Sequence, residues 1–263
     1  MTDLWAEAVE LREVLIQRLQ EDGIIFTDAQ LIRPTKPYFL PTDTKMASKI
    51  DHTLLKPEAT KQQVVNLCEE AIKFHFKTVC IQPYWVSHAA GQLAGSEVGI
   101  TTVIGFPLGV SCSMIKALET EEAIAKGASE VDMVLNAGAL KSDRLADVFN
   151  DVRMVVQASD RRAIVKVILE TGALTEAEKK TACVICELAG ADFVKTSTGF
   201  GPGGATADDV RLMDVFSGPS VQVKASGGIR NSETAQCMID AGATRLGTSS
   251  GIQIVQGEEG TGY

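Results

Sequence analysis

Eight alternations of a short β-like run with a helical stretch, spread over residues 47–256, predict an α/β chain folded as a (β/α)8 TIM barrel with an N-terminal helical extension. Two observations carry that prediction. The β-like runs recur at about 48–55, 78–83, 100–106, 130–136, 163–170, 193–198, 221–226 and 245–249, each followed by a helical pattern. Three successive runs also carry a lysine at one interval, 29 residues from Lys166 to Lys195 and 29 from Lys195 to Lys224. That spacing predicts three lysines at matching depth in neighbouring parallel strands. The alternative, an open doubly wound sheet, would carry Gly-x-Gly-x-x-Gly in its first turn, and Leu54-Leu55-Lys56-Pro57 does not.

Ahead of the barrel, residues 3–20 place Leu4, Ala8, Leu11, Leu15 and Leu19 at helical spacing among acids and arginines. An isolated helix of this length is marginal in water, so the stripe predicts docking on the barrel or on a second subunit. Pro34, Pro37 and Pro41 then punctuate a crossing segment, and residues 1–46 form an appended unit. Helical stretches are expected at about 60–74, 84–94, 113–126, 143–158, 175–190, 206–216, 231–241 and, most weakly, 250–256. Thr60, Thr175 and Asn231-Ser232 are start signals, because their side chains can accept from the first free N–H groups of a helix. Gly127, Gly190 and Gly242 mark ends, where a left-handed residue is cheapest as glycine. Residues 257–263, with three glycines and two acids, are expected to form a mobile tail ending in Tyr263, a phenol that could reach a barrel mouth as a proton donor.

The composition narrows the function. Net charge is −9 with pI near 5.0, which argues against a nucleic-acid partner. The six cysteines are scattered, and Cys183 and Cys186 sit inside a helical pattern, as two buried thiols rather than a redox or zinc pair. The start of the chain carries Asp3, Glu7 and Glu10 and no apolar leader. Val98 to Ile115 is uncharged but broken by Gly99, Gly105, Pro107 and Gly109, so it reads as a strand and loop rather than a membrane span. The cytosol is the expected compartment, with no membrane partner. His52, His75 and His88 form no paired motif, so neither a metal nor another cofactor is expected; His75 and His88 should be solvated.

The strand ends carry the chemistry. In Phe193-Val194-Lys195-Thr196-Ser197, strand alternation puts Phe193, Lys195 and Ser197 on one face, so the lysine points inward beside an aromatic ring. Burial and a neighbouring cation both favour the uncharged, nucleophilic amine. Asp132, between Val131 and Met133, needs a buried partner that the lysines can supply, either as a structural ion pair or as a general acid/base. Gly199, Gly227-Gly228 and Gly247-Thr248-Ser249-Ser250 put backbone and hydroxyl donors at three adjacent strand ends, a phosphate site without a basic patch.

The segments IDHTLLKP (50–57), VCIQP (79–83), EVDMVLN (130–136), VKTSTGF (194–200) and KASGGI (224–229) resemble the signature segments of the 2-deoxyribose-5-phosphate aldolases, over about residues 48–252. The resemblance implies a class I aldolase that reversibly splits 2-deoxy-D-ribose 5-phosphate into acetaldehyde and D-glyceraldehyde 3-phosphate. It implies that Lys195 is the Schiff-base lysine, Lys224 its activating neighbour and Asp132 the proton-relay acid. Gly199, Gly227, Gly228, Ser249 and Ser250 match the phosphate positions. Asp51, Thr53, Cys80, Lys166 and Thr198 are the candidates for substrate contacts. Gln82 stands where an asparagine is expected. The implied partners are small phosphosugar and aldehyde substrates and further copies of the chain, as a homodimer or higher homo-oligomer. Two other readings stay open: a Schiff-base aldolase for a different phosphosugar, and a phosphosugar-binding barrel without turnover.

Overall fold

The computed structural model describes residues 4–32 and 45–261. Eight parallel strands close into a barrel in chain order, β1 (Ile50–Leu54), β2 (Thr78–Ile81), β3 (Gly99–Ile104), β4 (Glu130–Val134), β5 (Ile164–Ile168), β6 (Phe193–Lys195), β7 (Gln222–Ser226) and β8 (Arg245–Thr248), with β8 pairing back onto β1. The helices between them are α3 (Lys61–Phe74), α4 (Val86–Gln92), α5 (Ser113–Ala125), α6 (Ala137–Lys141), α7 (Leu145–Ser159), α8 (Glu176–Ala189), α9 (Ala207–Phe216), α10 (Ser232–Asp240) and α11 (Gly251–Gln256). The main apolar core lies between the strands and this ring, and includes Val131, Val167, Val194 and Val223.

Local sequence sets the boundaries. Thr60 and Thr175 close capping boxes with Gln63 and Glu178, and Asn231 accepts from the Thr234 N–H. The helix expected at about 143–158 is α7, and a short helix, α6, precedes it where none was expected. Asn136, which alternation assigned to the fourth strand, instead leaves it and accepts from the Ala139 N–H, starting α6 before α7.

The N-terminal helix α1 (Leu4–Glu21) packs on α8 and α9 of its own barrel. Ala8, Leu15 and Leu19 are buried, while Leu4 is left exposed at the end of the stripe. Arg12 is also buried, bridging to Glu187 of α8 at 2.9 Å and donating to the Gln30 carbonyl at 2.6 Å. A four-residue helix, α2 (Asp28–Leu31), follows with its own capping box from Thr27 and Gln30, too short for periodicity to reveal. The proline-punctuated crossing segment and Tyr263 lie outside the described residues.

Two expectations need correcting. Lys195 does pair with Lys224 across β6 and β7, but Lys166 pairs with Phe193, two residues deeper than Lys195. Equal intervals in sequence did not mean equal depth, because the β5–β6 step and the β6–β7 step differ in length. The tail after α11 also finds partners where little packing was expected. The Gly260 N–H donates to the Arg230 carbonyl at 2.8 Å, and Asn231 donates to Glu259 at 2.6 Å.

Candidate active site

The inward side chains of β1 and β4–β8 meet in a layer of charge inside the barrel. Asp132 of β4 is fully buried; Oδ1 accepts from Lys166 Nζ at 2.7 Å, and Oδ2 from Lys195 at 2.9 Å and Lys224 at 2.8 Å. Lys224 also donates to Asp51 Oδ2, and the other Asp51 oxygen accepts from Arg245 at 2.8 Å. Arg245 reaches Glu130 at 2.7 Å, and Lys166 meets the same carboxylate at 2.6 Å. The guanidinium lies over the Phe193 ring, 5.5 Å from its centroid.

Burial alone would push the Asp132 carboxyl up, but the three lysines outweigh it and hold it well below the usual carboxylate range. Asp51 behaves likewise, with burial overcome by Lys224, Arg245 and Lys166. Burial would strip Lys224 of its proton, yet Asp132 and Asp51 together raise it far above an ordinary lysine. Lys224 is therefore a fixed cation. Three carboxylates thus face four cationic side chains. Charge balances when one of the four is neutral. Lys166 and Lys224 are sealed, whereas Lys195 alone of the three lysines opens onto a pocket.

That pocket lies at the carboxyl ends of β6–β8. Thr53, Leu55, Thr198, Gly199, Ser226–Arg230 and Gly247–Ser250 line it with Lys195. Gly199, Gly227 and Gly228 have φ of 86°, 90° and 79°, a left-handed conformation that glycine adopts without strain and that lets these loops turn tightly. The Ser197 and Ser250 hydroxyls are buried without a hydrogen-bond partner. α11 has only six residues, so its dipole is short. Gly260 packs so closely on Ser250 that a Cβ there would sit 2.3 Å from its Oγ.

Two loops interlock beside the pocket. Glu170, in a left-handed conformation (φ 59°) at the end of β5, accepts from the Thr198 hydroxyl and, at 3.3 Å, from the Thr198 N–H. The Thr171 N–H donates to the Thr196 carbonyl at 2.9 Å, and a Cβ on Gly172 would fall 1.7 Å from the Pro202 oxygen.

Comparison with known proteins meets this geometry directly. Residues 45–257 match the DeoC/LacD family aldolase. The deoxyribose-phosphate aldolase of Brevibacillus brevis is 57% identical over 217 residues, covering 82% of this chain and 98% of the relative. That of Streptococcus sanguinis is 55% identical over 218 residues, covering 83% and 99%. A tetrameric deoxyribose phosphate aldolase from Aeropyrum pernix superposes with a TM-score of 0.75 at 35% identity, over 80% of this chain and 89% of that one. The chain belongs to the DeoC/LacD family of aldolases.

In this DeoC/LacD barrel the anticipated residues divide into two tiers. Lys195, Thr53, Thr198, Gly199, Gly227, Gly228, Ser249 and Ser250 line the pocket. Asp132, Lys224, Asp51 and Lys166 lie beneath it as counter-charges, fully buried. Cys80 is sealed into a small apolar cluster with Leu55 and Val103, against Phe106, and burial pushes its thiol up. Gln82 donates to the Leu55 carbonyl at 2.9 Å and so steadies the loop after β1. The histidines are only partly as expected: His75 is exposed, His88 is half-buried with Nε2 unpaired, and His52 meets Glu70 at 2.8 Å. Among the described residues, no group of three His, Cys, Asp or Glu is placed to hold a metal, and no helix is long and apolar enough to cross a membrane.

Sequence reading missed Glu130, Arg245, Glu170 and Arg230. Glu130 had a signal, since it lies two residues before Asp132 and shares its strand face. Arg230 had one too, two residues after the glycine pair of the pocket. Arg245 opens a strand, where an arginine reads as surface, and Glu170 looked like the polar end of the fifth run.

Proposed function

We propose that Lys195 is the Schiff-base nucleophile of a deoxyribose-phosphate aldolase, reversibly cleaving 2-deoxy-D-ribose 5-phosphate to acetaldehyde and D-glyceraldehyde 3-phosphate. The observation that carries the assignment is the charge count, three buried carboxylates against four cations, with Lys195 the lysine open to the pocket. The neutral amine adds to C1 of the open-chain sugar, and loss of water leaves a protonated imine. The C3 hydroxyl then gives up its proton, C3 becomes the aldehyde of the departing triose phosphate, and the C2–C3 electron pair moves into an enamine, neutralising the nitrogen. Protonation at C2 and hydrolysis release acetaldehyde and restore the amine. The iminium adds one positive charge to a balanced layer, so collapse to the neutral enamine is electrostatically downhill. Asp132 is the proton-relay acid at Lys195, and Lys224, held on the same carboxylate oxygen, stays charged beside it as the activating neighbour. The loops at Gly199, Gly227-Gly228 and Ser249-Ser250 take the phosphate, and Asp51 and Lys166 keep the layer neutral.

The chain acts in the cytosol, a setting that fits its six unpaired cysteines. It assembles as a homo-oligomer, an expectation supported by the exposed apolar side chains of Leu108, Val110, Met114, Ile115 and Leu118. Borohydride reduction in the presence of acetaldehyde tests the chemistry. One ethyl group should appear on the peptide holding Lys195 and be absent from Lys195→Ala. Adduct on another lysine, or none in the wild type, overturns the assignment. Turnover of a different phosphosugar in preference to the deoxypentose would favour the alternative substrate.

A further inference from the structure

The lysine layer contains two charged side chains that no step of the reaction touches. Arg245 enters at the start of β8 and Glu130 at the start of β4, and they meet at 2.7 Å. Each also reaches the reacting layer through one intermediary. Arg245 holds Asp51, which holds Lys224, which shares Asp132 with Lys195. Glu130 holds Lys166, which takes the other Asp132 oxygen. Thr101 of β3 donates to Glu130 at 3.2 Å and completes its surroundings. The groups facing Lys195 from every strand around it are thus Asp51 (β1), Cys80 (β2), Asp132 and Glu130 (β4), Lys166 (β5), Lys224 (β7) and Arg245 (β8). β3 contributes only hydroxyls and apolar groups to this layer, and Cys80 stays a neutral thiol.

Resting on the reading of Lys195 as the reactive amine, we infer that Arg245 and Glu130 are positioning residues that set its charge. Take Arg245 away and three carboxylates face only Lys166 and Lys224 beside the reactive amine; the layer is then neutral only with Lys195 as ammonium. Take Glu130 away and two carboxylates face Lys166, Lys224 and Arg245, which disfavours a further cation at Lys195. Each deletion leaves Asp51, Asp132 or Glu130 at least one lysine partner, so no buried carboxylate is stranded. Because Arg245 and Glu130 are nearly sealed from solvent and linked to Lys195 through buried ion pairs, a unit charge lost there is weakly screened. The signs are opposite, which separates this role from a merely structural one.

The test compares Arg245→Met, Glu130→Gln, the double variant and Arg245→Lys. Two readouts are taken on each: the midpoint of the acid limb of kcat/KM, and the pH dependence of Lys195 acetylation by trace acetic anhydride, read by mass spectrometry. Arg245→Met should raise the midpoint by about one pH unit or more, and Glu130→Gln should lower it by a similar amount. The double variant should return to within about 0.3 unit of the wild type, and Arg245→Lys should stay there, because each keeps the balance. If Arg245→Met does not fold, the downward shift in Glu130→Gln and the return in the double variant still decide. Single variants that move the same way, or not at all, or a double variant that fails to return, overturn the inference. Acetylation reports the amine whether or not the chain is an aldolase. A protein without aldolase activity would therefore sink the proposed function and leave this ordering to be judged alone.

Discussion

Ser249 and Ser250 follow the eighth strand and line the pocket, whose cationic side chains are Lys195 and Arg230. A carboxylate added among them would oppose a phosphate directly. Ser249→Glu should therefore raise KM for 2-deoxyribose 5-phosphate by about tenfold or more through like-charge repulsion, with little effect on unphosphorylated 2-deoxyribose. Steady-state kinetics on both sugars is the check, and equal losses would point to damage of the barrel instead. At this scale the sequence was informative wherever a residue contradicted its neighbours. A lysine beside phenylalanine and valine, and an aspartate between valine and methionine, can only be interior groups with work to do. Depth was not legible, because the barrel's stagger decides which lysine lies beside which, and that depends on loop lengths that spacing averages away. Arg245 stayed hidden for a related reason: only closure of β8 on β1 brings it to Asp51.

Elements were legible in proportion to their length and their caps. All eight strands and the long helices follow the periodicity of the apolar residues, but the short α6 depends on one side chain, Asn136, turning back to cap its start. The docking of α1 follows from its stripe, yet the stripe does not name the surface. Arg12 does, since its guanidinium bridges to Glu187 with both side chains nearly sealed from solvent. Replacing Arg12 by alanine strands a carboxylate at that contact and should cost about 3 kcal/mol, read from urea unfolding of the full chain. Aldolase activity under native conditions should survive, because α1 lies on the outside of the ring and the pocket does not include it. Deleting residues 1–44 should lower the melting temperature in the same way; an unchanged midpoint in both variants would show that α1 adds nothing to the barrel.

For the whole molecule, the buried layer predicts how stability follows pH. Asp51 and Asp132 are held below the ordinary carboxylate range in the folded chain, so their stabilisation is complete above about pH 4 and is lost as pH falls toward the folded values. Lys224 is held above the ordinary range, so its contribution is complete below about pH 10 and is lost as pH rises toward the folded value. Melting temperature should be flat between about pH 5 and 9 and fall on both sides, and Asp132→Asn should flatten the acid side; a sharp maximum near neutrality would contradict this. The barrel itself was readable from eight repeats and the pairing of Asp132 with lysines from the residues, while the links through Glu130 and Arg245 were not, since they exist only once the sheet is closed. Its distribution along the chain has one more consequence. Asp51, Glu130 and Asp132 all come from the first four strands, and Lys166, Lys195, Lys224 and Arg245 all from the last four. Cut between β4 and β5, the molecule becomes two half-barrels, one whose charged groups in this layer are all acidic and one whose charged groups there are all basic. Neither can sequester its charges alone, and each is the other's natural counterpart. The closed barrel is, in effect, a complex of two oppositely charged fragments that happen to share a covalent bond.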